Sequence, residues 1–165
     1  SILLDGPISI NDFLTFQLIK NKGIAFSILN SDSILINTLL LIIILAITYF
    51  IASHFYRNIN NMIMMEKLSF ILIISGAIGN LLDRFIYGYV IDFIFISYKS
   101  FYFPAIFNVA DIYITIGAVV LIILQMFYFQ LKKLNIKNNL DCLRVFKSNN
   151  LLGLLVLISL VGGKI

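Results

Sequence analysis

The sequence predicts an all-α polytopic membrane protein, an antiparallel bundle of transmembrane helices with a small extracytoplasmic β element. Three observations support this fold class. Of the 165 residues, 61% are hydrophobic and 12% are charged, whereas soluble domains contain about 45–50% apolar and about 25% charged residues. The mean hydropathy is +1.02. Long uncharged runs of Ile, Leu and Phe recur along the chain, and a helix crosses the ~30 Å hydrocarbon core with roughly 20 such residues.

Three uncharged runs predict the transmembrane helices. The first helix is predicted over residues 34–53 and the third over residues 109–131, because the uncharged runs 34–53 and 112–131 are each long enough to span the bilayer. The second run, Leu68–Leu82, is too short to cross alone. Its helix is therefore predicted over residues 67–86. This extension brings Asp83 to the membrane edge, where charged residues are costly and mark functional candidates.

The segments that connect these helices are predicted from their polarity. A Gly-Pro turn followed by alternating apolar and polar residues from Phe13 to Leu18 predicts a strand, and hence the β element. His54–Lys67 is predicted as a short polar connection, and Tyr87–Asn108 as a loop on the opposite side of the membrane. Residues 1–133 are expected to form the membrane domain.

The basic residues predict the orientation in the membrane. Arg57 and Lys67 flank one side, and after two more crossings Lys132 and Lys133 lie on that same side, which the positive-inside rule assigns to the cytoplasm. From residue 131 onward, six basic residues face one acidic residue, a net charge of +5. Residues 134–165 are therefore predicted as a basic cytoplasmic tail with a short apolar run, and a nucleic-acid partner is not expected.

The topology also leads to an expectation about the N-terminal side of the chain. Three helices with a cytoplasmic C-terminus put the first residues outside, yet residues 1–32 contain no hydrophobic leader that would carry them across, and the chain begins with Ser1. We therefore expect an upstream transmembrane helix that is missing from this sequence, or a chain that is a fragment.

Polar residues gather at the outer membrane edge, at the end of the second helix, in the loop that follows it and at the start of the third helix. They are Asn80, Asp83, Arg84, Asp92, Asn108 and Asp111. Asp92 stands in the apolar segment VIDFI, where a carboxylate is costly unless it is paired. Both helices meet the same membrane face, so we expect Asp92 and Asp111 to approach each other.

The expected pair of Asp92 and Asp111 has a defined chemistry. Two carboxylates a few ångströms apart cannot both ionise readily, so one keeps a proton while the other acts as a base. Such a pair can deprotonate a water for attack on an amide and protonate the leaving amine. This is aspartyl protease chemistry, and no cofactor is expected. No metal site or disulfide is expected either, because Cys142 and His54 have no further ligands at usable spacing and the chain has one cysteine.

Other interpretations of the same residues remain open. Asn108 stands three positions before Asp111, which is a favourable helix N-cap arrangement with the carboxylate at the positive end of the helix dipole. Asp83 and Arg84 fit a simple interfacial ion pair. A small membrane transporter or channel fragment would use the carboxylates as a cation or proton relay, although such a relay should distribute acidic residues through the membrane depth.

Three blocks of the sequence resemble a known family. They are NKGIAFSIL (Asn21–Leu29), GAIGNLLDRFIYGYVIDF (Gly76–Phe93) and FPAIFNVAD (Phe103–Asp111), and they resemble the bacterial lipoprotein signal peptidases, or signal peptidase II. The resemblance implies a four-helix aspartyl endopeptidase of the bacterial cytoplasmic (inner) membrane with its active site on the extracytoplasmic side. It implies removal of the signal peptide from diacylglyceryl-modified prolipoproteins, before the lipidated cysteine. Prolipoproteins and membrane lipids are the implied partners.

The resemblance also implies roles for particular residues. It assigns the catalytic dyad to Asp92 and Asp111. The substrate-binding and supporting residues that it implies are Asn21, Gly23, Asn80, Asp83, Arg84, Asn108 and Ala110. Of these, Asn21 and Gly23 are expected at the outer end of the first helix. The family's first helix, with its own Asp and Lys motif, has no counterpart in this sequence, which leaves an inactive truncated remnant as an alternative.

Overall fold

The structure is a computed structural model that describes residues 6–22, 33–99, 101–103 and 105–126, and positions 138, 140, 142, 143, 146 and 147. Its elements in chain order are β1 (Ile8–Ser9), β2 (Leu14–Asn21), α1 (Ile34–Asn58), a short 3₁₀ helix (Ile59–Asn61), α2 (Met64–Tyr87), β3 (Val90–Tyr98), β4 (Phe101–Tyr102) and α3 (Val109–Ile123). The predicted class, a helical membrane protein with a small β element, is confirmed. Most of the tail predicted over 134–165 lies outside the described residues.

Three of the described helices are long and apolar enough to cross a membrane. α1 continues past its predicted boundary to Asn58 and α2 already begins at Met64, so the polar connection predicted over His54–Lys67 is wrong for most of its length. Amphipathic side chains at a membrane edge keep their polar ends in water without interrupting the backbone hydrogen bonds of a helix. α3 begins at Val109 as predicted, while residues 127–131 of its predicted span lie outside the described residues.

α2 occupies the middle of the described bundle and packs against both α1 and α3. Its contact with α3 is close at two glycines. A Cβ on Gly76 would meet the carbonyl oxygen of Ala110, and a Cβ on Gly117 would lie 2.6 Å from the carbonyl oxygen of Ser69. Small residues therefore bring the two backbones together, as is common between membrane helices.

The β element is a four-stranded sheet in the order β1–β2–β3–β4. β2 and β3 form its long antiparallel pair, and Asn21 lies opposite Val90. The strand predicted over Phe13–Leu18 is confirmed from Leu14 onward, and β2 continues beyond it to Asn21. The loop predicted over Tyr87–Asn108 is wrong, because this segment contains β3 and β4. The sequence of β3, VIDFIFISY, is apolar on both faces and lacks the alternation that marks a half-buried strand.

Several element ends converge at one end of the helix bundle, which we call the site end. α2 ends there at Gly88, whose φ of +79° is left-handed and unstrained for glycine, and the Gly88 N–H donates to the carbonyl of Arg84 at 2.9 Å. β3 follows directly, and its Ile94 pairs with Phe107 just before α3 begins. β2 ends at Asn21 beside the start of β3. The site end thus joins residues from four elements.

Candidate active site

Asp92 is the third residue of β3 and is 3% exposed. Its carboxylate oxygens each accept an amide hydrogen bond of 2.9 Å, Oδ1 from Asn108 Nδ2 and Oδ2 from Asn21 Nδ2. Burial raises the pKa of Asp92 above its ordinary value of 3.8, and nearby Asp111 adds to that shift, while the two amide bonds and the Arg84 guanidinium oppose it. This carboxyl therefore holds a proton more readily than an exposed aspartate does.

Asp111 lies in the first turn of α3. Its Oδ1 accepts from Asn80 Nδ2 at 2.9 Å, and its Oδ2 accepts from the backbone N–H of Asn108 at 3.0 Å. In return, the Asp111 N–H donates to Asn108 Oδ1 at 3.0 Å, which completes a reciprocal capping box. The N-cap interpretation of Asn108 is thus confirmed, and the same contacts fix the orientation of the Asp111 carboxylate.

Asn108 joins the two aspartates. It is 5% exposed, and its Nδ2 donates to Asp92 Oδ1 at 2.9 Å and to Asn80 Oδ1 at 3.0 Å. Asn80 in turn donates to Asp111. Five side chains from β2, α2, β3 and the start of α3 therefore form one hydrogen-bonded set, called the carboxylate cluster below: Asn21, Asn80, Asp92, Asn108 and Asp111.

Asp83 and Arg84 border the carboxylate cluster from the last turns of α2. Asp83 Oδ2 accepts from the Ile91 N–H at 3.1 Å, which ties the end of α2 to the residue before Asp92. The Arg84 guanidinium lies within electrostatic reach of the carboxylates of Asp83, Asp92 and Asp111. One cation therefore offsets part of the negative charge that the site end collects.

A cavity of about 650 Å³ opens beside the carboxylate cluster. Its polar end is lined by Asn21, Asn80, Arg84, Asp92 and Asp111. The rest of its wall is largely apolar and includes residues of α1 and α2: Ile44, Ile47, Ile51, Ile73 and Ala77. Both aspartates therefore face a single space that passes from a polar end into an apolar interior between the helices.

The α1 wall of this cavity is the part of the site that sequence reasoning missed. Thr48 is 9% exposed, lines the cavity and donates its hydroxyl to the carbonyl of Ile44 at 2.8 Å. α1 is apolar around its whole circumference, so no periodic signal separates a cavity-lining face from a lipid-facing one. The only weak signal is Thr48 itself, which follows the aliphatic run from Leu39 to Ile47.

Three further residues were predicted at the site from the sequence: Asn21, Ala110 and Gly23. Asn21 belongs to the carboxylate cluster, and it is the last residue of β2. Ala110 packs against α2: its carbonyl oxygen approaches Gly76, and a Cβ on Gly79 would lie 3.4 Å from its own Cβ. Gly23 lies outside the described residues.

The carboxylate cluster has the composition of an acid–base site. Burial raises the pKa of Asp92, and Asp111 accepts two N–H donors at hydrogen-bond distance. Two carboxylates that share a cavity but differ in environment can divide the roles of proton donor and proton acceptor. In the part of the chain that the structure describes, no group of three or more His, Cys, Asp or Glu residues could hold a metal ion.

Fold and site together define a class, an integral membrane protein in which two carboxylates face a largely apolar cavity at one end of a helix bundle. Residues 2–128 match the family model described as Signal peptidase (SPase) II. The chain belongs to this family, and it is therefore a peptidase by family. The resemblance carried by the three sequence blocks is confirmed.

Individual relatives agree with this assignment. A lipoprotein signal peptidase of Clostridium tetani is 41% identical over 114 residues, which cover 69% of this chain and 70% of the relative. The lipoprotein signal peptidase of Pelagibacter ubique is 41% identical over 131 residues, 79% of this chain and 75% of the relative. A solved bacterial membrane enzyme, determined at 2.3 Å resolution, matches with a TM-score of 0.65 and 28% identity, covering 78% of this chain and 76% of that chain.

Proposed function

We propose that this protein is an aspartyl endopeptidase that removes the signal peptide from diacylglyceryl-modified prolipoproteins, cleaving before the lipidated cysteine. The carboxylate cluster carries the proposal, because Asp92 and Asp111 are both bonded to Asn108 and both line one cavity. Relatives that cover most of the chain bear the name lipoprotein signal peptidase, and this supports the class of substrate.

In the proposed reaction the two aspartates divide the proton transfers. A water attacks the scissile carbonyl carbon while the Asp111 carboxylate takes a proton from it. Asp92, whose pKa is raised by burial, donates its proton to the leaving nitrogen as the carbon–nitrogen bond breaks. The proton gained by Asp111 then passes to Asp92 and restores the starting state. The apparent pKa values of this cycle belong to the pair.

The cavity suits a substrate that is anchored in lipid. Its polar end offers side-chain donors to peptide carbonyls from Asn21, Asn80 and Arg84. Its apolar wall accepts acyl chains from the bilayer without transferring them into a polar environment. Prolipoproteins and membrane lipids are therefore the proposed partners, with the lipid held between the helices and the peptide held at the site end.

The proposed location is the bacterial cytoplasmic membrane, with the carboxylate cluster on its extracytoplasmic side. Arg57 lies in the last turn of α1 and Lys67 in the first turns of α2, at the end of the bundle opposite the cluster. Basic residues at a helix end favour the cytoplasmic side of the membrane. This distribution supports an outward-facing site end.

The distribution of acidic residues favours a peptidase over a cation or proton relay. α1 contains no Asp or Glu, and α2 carries Glu66 in its first turn and Asp83 near its end. α3 carries Asp111 in its first turn. The middle of each described helix therefore lacks carboxylates, whereas a relay requires them through the depth of the membrane.

Replacement of each aspartate by its uncharged isostere tests the proposal. Asp92→Asn and Asp111→Asn should each lower cleavage of a diacylglyceryl-modified prolipoprotein by at least about 10²-fold, while the protein stays inserted in vesicles. Asp12→Asn makes the same chemical change at an exposed position before β2 and should cleave at the wild-type rate. Wild-type rates for both dyad variants, read as signal-peptide release by mass spectrometry, would overturn the proposal.

A further inference from the structure

The direction of the Asn108 side-chain amide is set by the start of α3. Asn108 has extended backbone angles and caps the helix, so its side chain must present an acceptor to the N–H of Asp111. Only Oδ1 can fill that position, at 3.0 Å, because an amide nitrogen has no lone pair to offer. The Nδ2 group must therefore point the other way, into the carboxylate cluster.

This constraint passes from Asn108 to the next amide. The two hydrogens of Asn108 Nδ2 are donated to Asp92 Oδ1 and to Asn80 Oδ1. Because the oxygen of Asn80 is thereby occupied, its Nδ2 group faces Asp111 Oδ1 at 2.9 Å. The backbone of α3 thus determines which ends of two asparagines meet the two aspartates, and both aspartates receive donors.

We infer that Asn108 is a positioning residue whose N-cap bond fixes the orientation of two side-chain amides. In this orientation Asn108 always donates a hydrogen bond to Asp92, and Asn80 always donates one to Asp111. The inference rests on the proposed peptidase function and goes beyond it in one respect. A fixed N–H donor on each aspartate stabilises the ionised carboxylate, so only one of the two carboxyls needs to hold the catalytic proton. That proton stays within the dyad and its substrate, and the dyad operates with one proton.

Apart from the substituted side chain itself, the charged groups around Asn108 and Asp92 are the same in every variant described next. From α2 and α3 these groups are Arg84 and Asp111, and Asp83 lies within electrostatic reach of Arg84. β2 contributes the neutral Asn21. Its Lys20 instead lies over the ring of Tyr89, 5.1 Å from the centroid. A changed pH dependence can therefore be traced to the substituted amide.

Two substitutions separate the cap from the donor. Asn108→Ser keeps a good N-cap acceptor but removes the Nδ2 donor. Asn108→Asp keeps both the cap acceptor and the shape of the side chain, but it turns an oxygen toward two acceptors, Asp92 Oδ1 and Asn80 Oδ1. The introduced carboxyl can replace the donor only while it holds a proton. The active form of this variant then needs two protons in the cluster instead of one.

The pH profile of kcat/KM distinguishes these cases. Over the plateau of the wild-type profile, Asn108→Ser should be slower by about 10- to 100-fold at every pH, because a donor to a charged group is lost. Asn108→Asp should lose activity relative to wild type progressively as pH rises, by up to about tenfold per pH unit once the introduced carboxyl ionises. A constant ratio for Asn108→Asp, or wild-type activity for Asn108→Ser, contradicts the inference.

Two further measurements distinguish a failure of this inference from misfolding of a variant and from failure of the proposed function. Asn80→Asp leaves the N-cap intact, and its kcat/KM should also fall progressively relative to that of wild type as pH rises. A ratio of the two kcat/KM values that does not change with pH also overturns the inference. Thermal unfolding in micelles between about pH 5 and about pH 8 needs no substrate. The unfolding temperature of Asn108→Asp should fall with pH more steeply than that of wild type and more steeply than that of Asn108→Ser, because only Asn108→Asp adds a titratable group to the cluster. Parallel curves for all three proteins refute the polarity assignment, whereas a wild-type protein that cleaves nothing refutes only the peptidase.

Discussion

The contact of α2 with α3 at Gly76 sets the geometry of the carboxylate cluster, and Gly76→Ala tests this. A Cβ on Gly76 would overlap the carbonyl oxygen of Ala110 and lie 2.8 Å from Ile114 Cγ1. Carbon atoms in contact prefer about 3.5–4.0 Å, so the helices must separate by about 1 Å. Asn80 lies one turn beyond Gly76 and Asp111 follows Ala110 directly, so this separation acts on the 2.9 Å bond between their side chains.

The expected loss of cleavage activity follows from the hydrogen bond between Asn80 and Asp111. Lengthened by about 1 Å, it no longer meets hydrogen-bond geometry. A hydrogen bond to a charged group contributes about 1.5–3 kcal/mol, so cleavage should slow by about 10- to 150-fold. Overpacking also destabilises the fold by about 1–3 kcal/mol. The greater helix propensity of alanine offsets about 0.5–1 kcal/mol of this loss.

Two matched glycines supply the controls. At Gly79 a Cβ would lie an ordinary 3.4 Å from Ala110 Cβ, so Gly79→Ala should cleave like wild type and gain about 0.5–1 kcal/mol of stability from the helix propensity of alanine. At Gly117 a Cβ would lie 2.6 Å from the Ser69 carbonyl oxygen, deeper in the bundle, so Gly117→Ala should lose stability with a smaller loss of activity. The measurements are thermal unfolding in micelles and the rate of prolipoprotein cleavage. If Gly76→Ala and Gly79→Ala cleave equally fast, the helix spacing does not control the cluster.

Three further predictions concern β3 and its connection to α2. Burial raises the pKa of Asp92 above 3.8, so the native state binds this proton more tightly than the unfolded chain does and stability falls as pH rises above that value. Asp92→Asn loses one of the two acceptor oxygens at every pH but has no proton to release, so its unfolding temperature relative to that of wild type should be higher at neutral pH than at pH about 4; an equal difference at both pH values contradicts this. Asp83→Ala removes the acceptor of the Ile91 N–H and should slow cleavage about tenfold, whereas Asp83→Asn keeps an oxygen there and should stay near wild type; equal rates would show that this bond does not position β3. Gly88→Ala forces a side chain into a left-handed conformation and should cost about 1–2 kcal/mol of stability in a thermal melt, so an unchanged melting temperature would refute the strain argument.

The helices were predictable in position but not in length. Uncharged runs locate transmembrane segments because the thickness of the hydrocarbon core fixes how many apolar residues are needed. The same runs do not mark helix ends, since α1 continues through the polar segment to Asn58 and α2 starts at Met64. Loss of hydrophobicity signals the membrane surface, whereas a helix stops only where its backbone hydrogen bonds find other partners.

β3 was not predictable from its own residues. Its pairing with β2 joins segments about seventy residues apart, as the hydrogen bond between Asn21 and Asp92 illustrates with a separation of 71. A strand that is half-buried on both faces has no polar alternation to reveal it. Only the partner strand explains why Asp92 is extended and buried instead of lying in a loop.

The sequence by itself determined the membrane class, the helix positions and the collection of carboxylates and asparagines at one end of the bundle, because hydrophobic thickness and the cost of buried charge act on residue types. It also determined the N-cap of α3, which is a local contact between Asn108 and Asp111. The tertiary structure alone decided that Asn21 reaches Asp92, that α1 walls the cavity, and that Ala110 faces a neighbouring helix. These features depend on which surfaces meet in space, and hydrogen bonds between distant residues leave no mark in the local pattern of the chain.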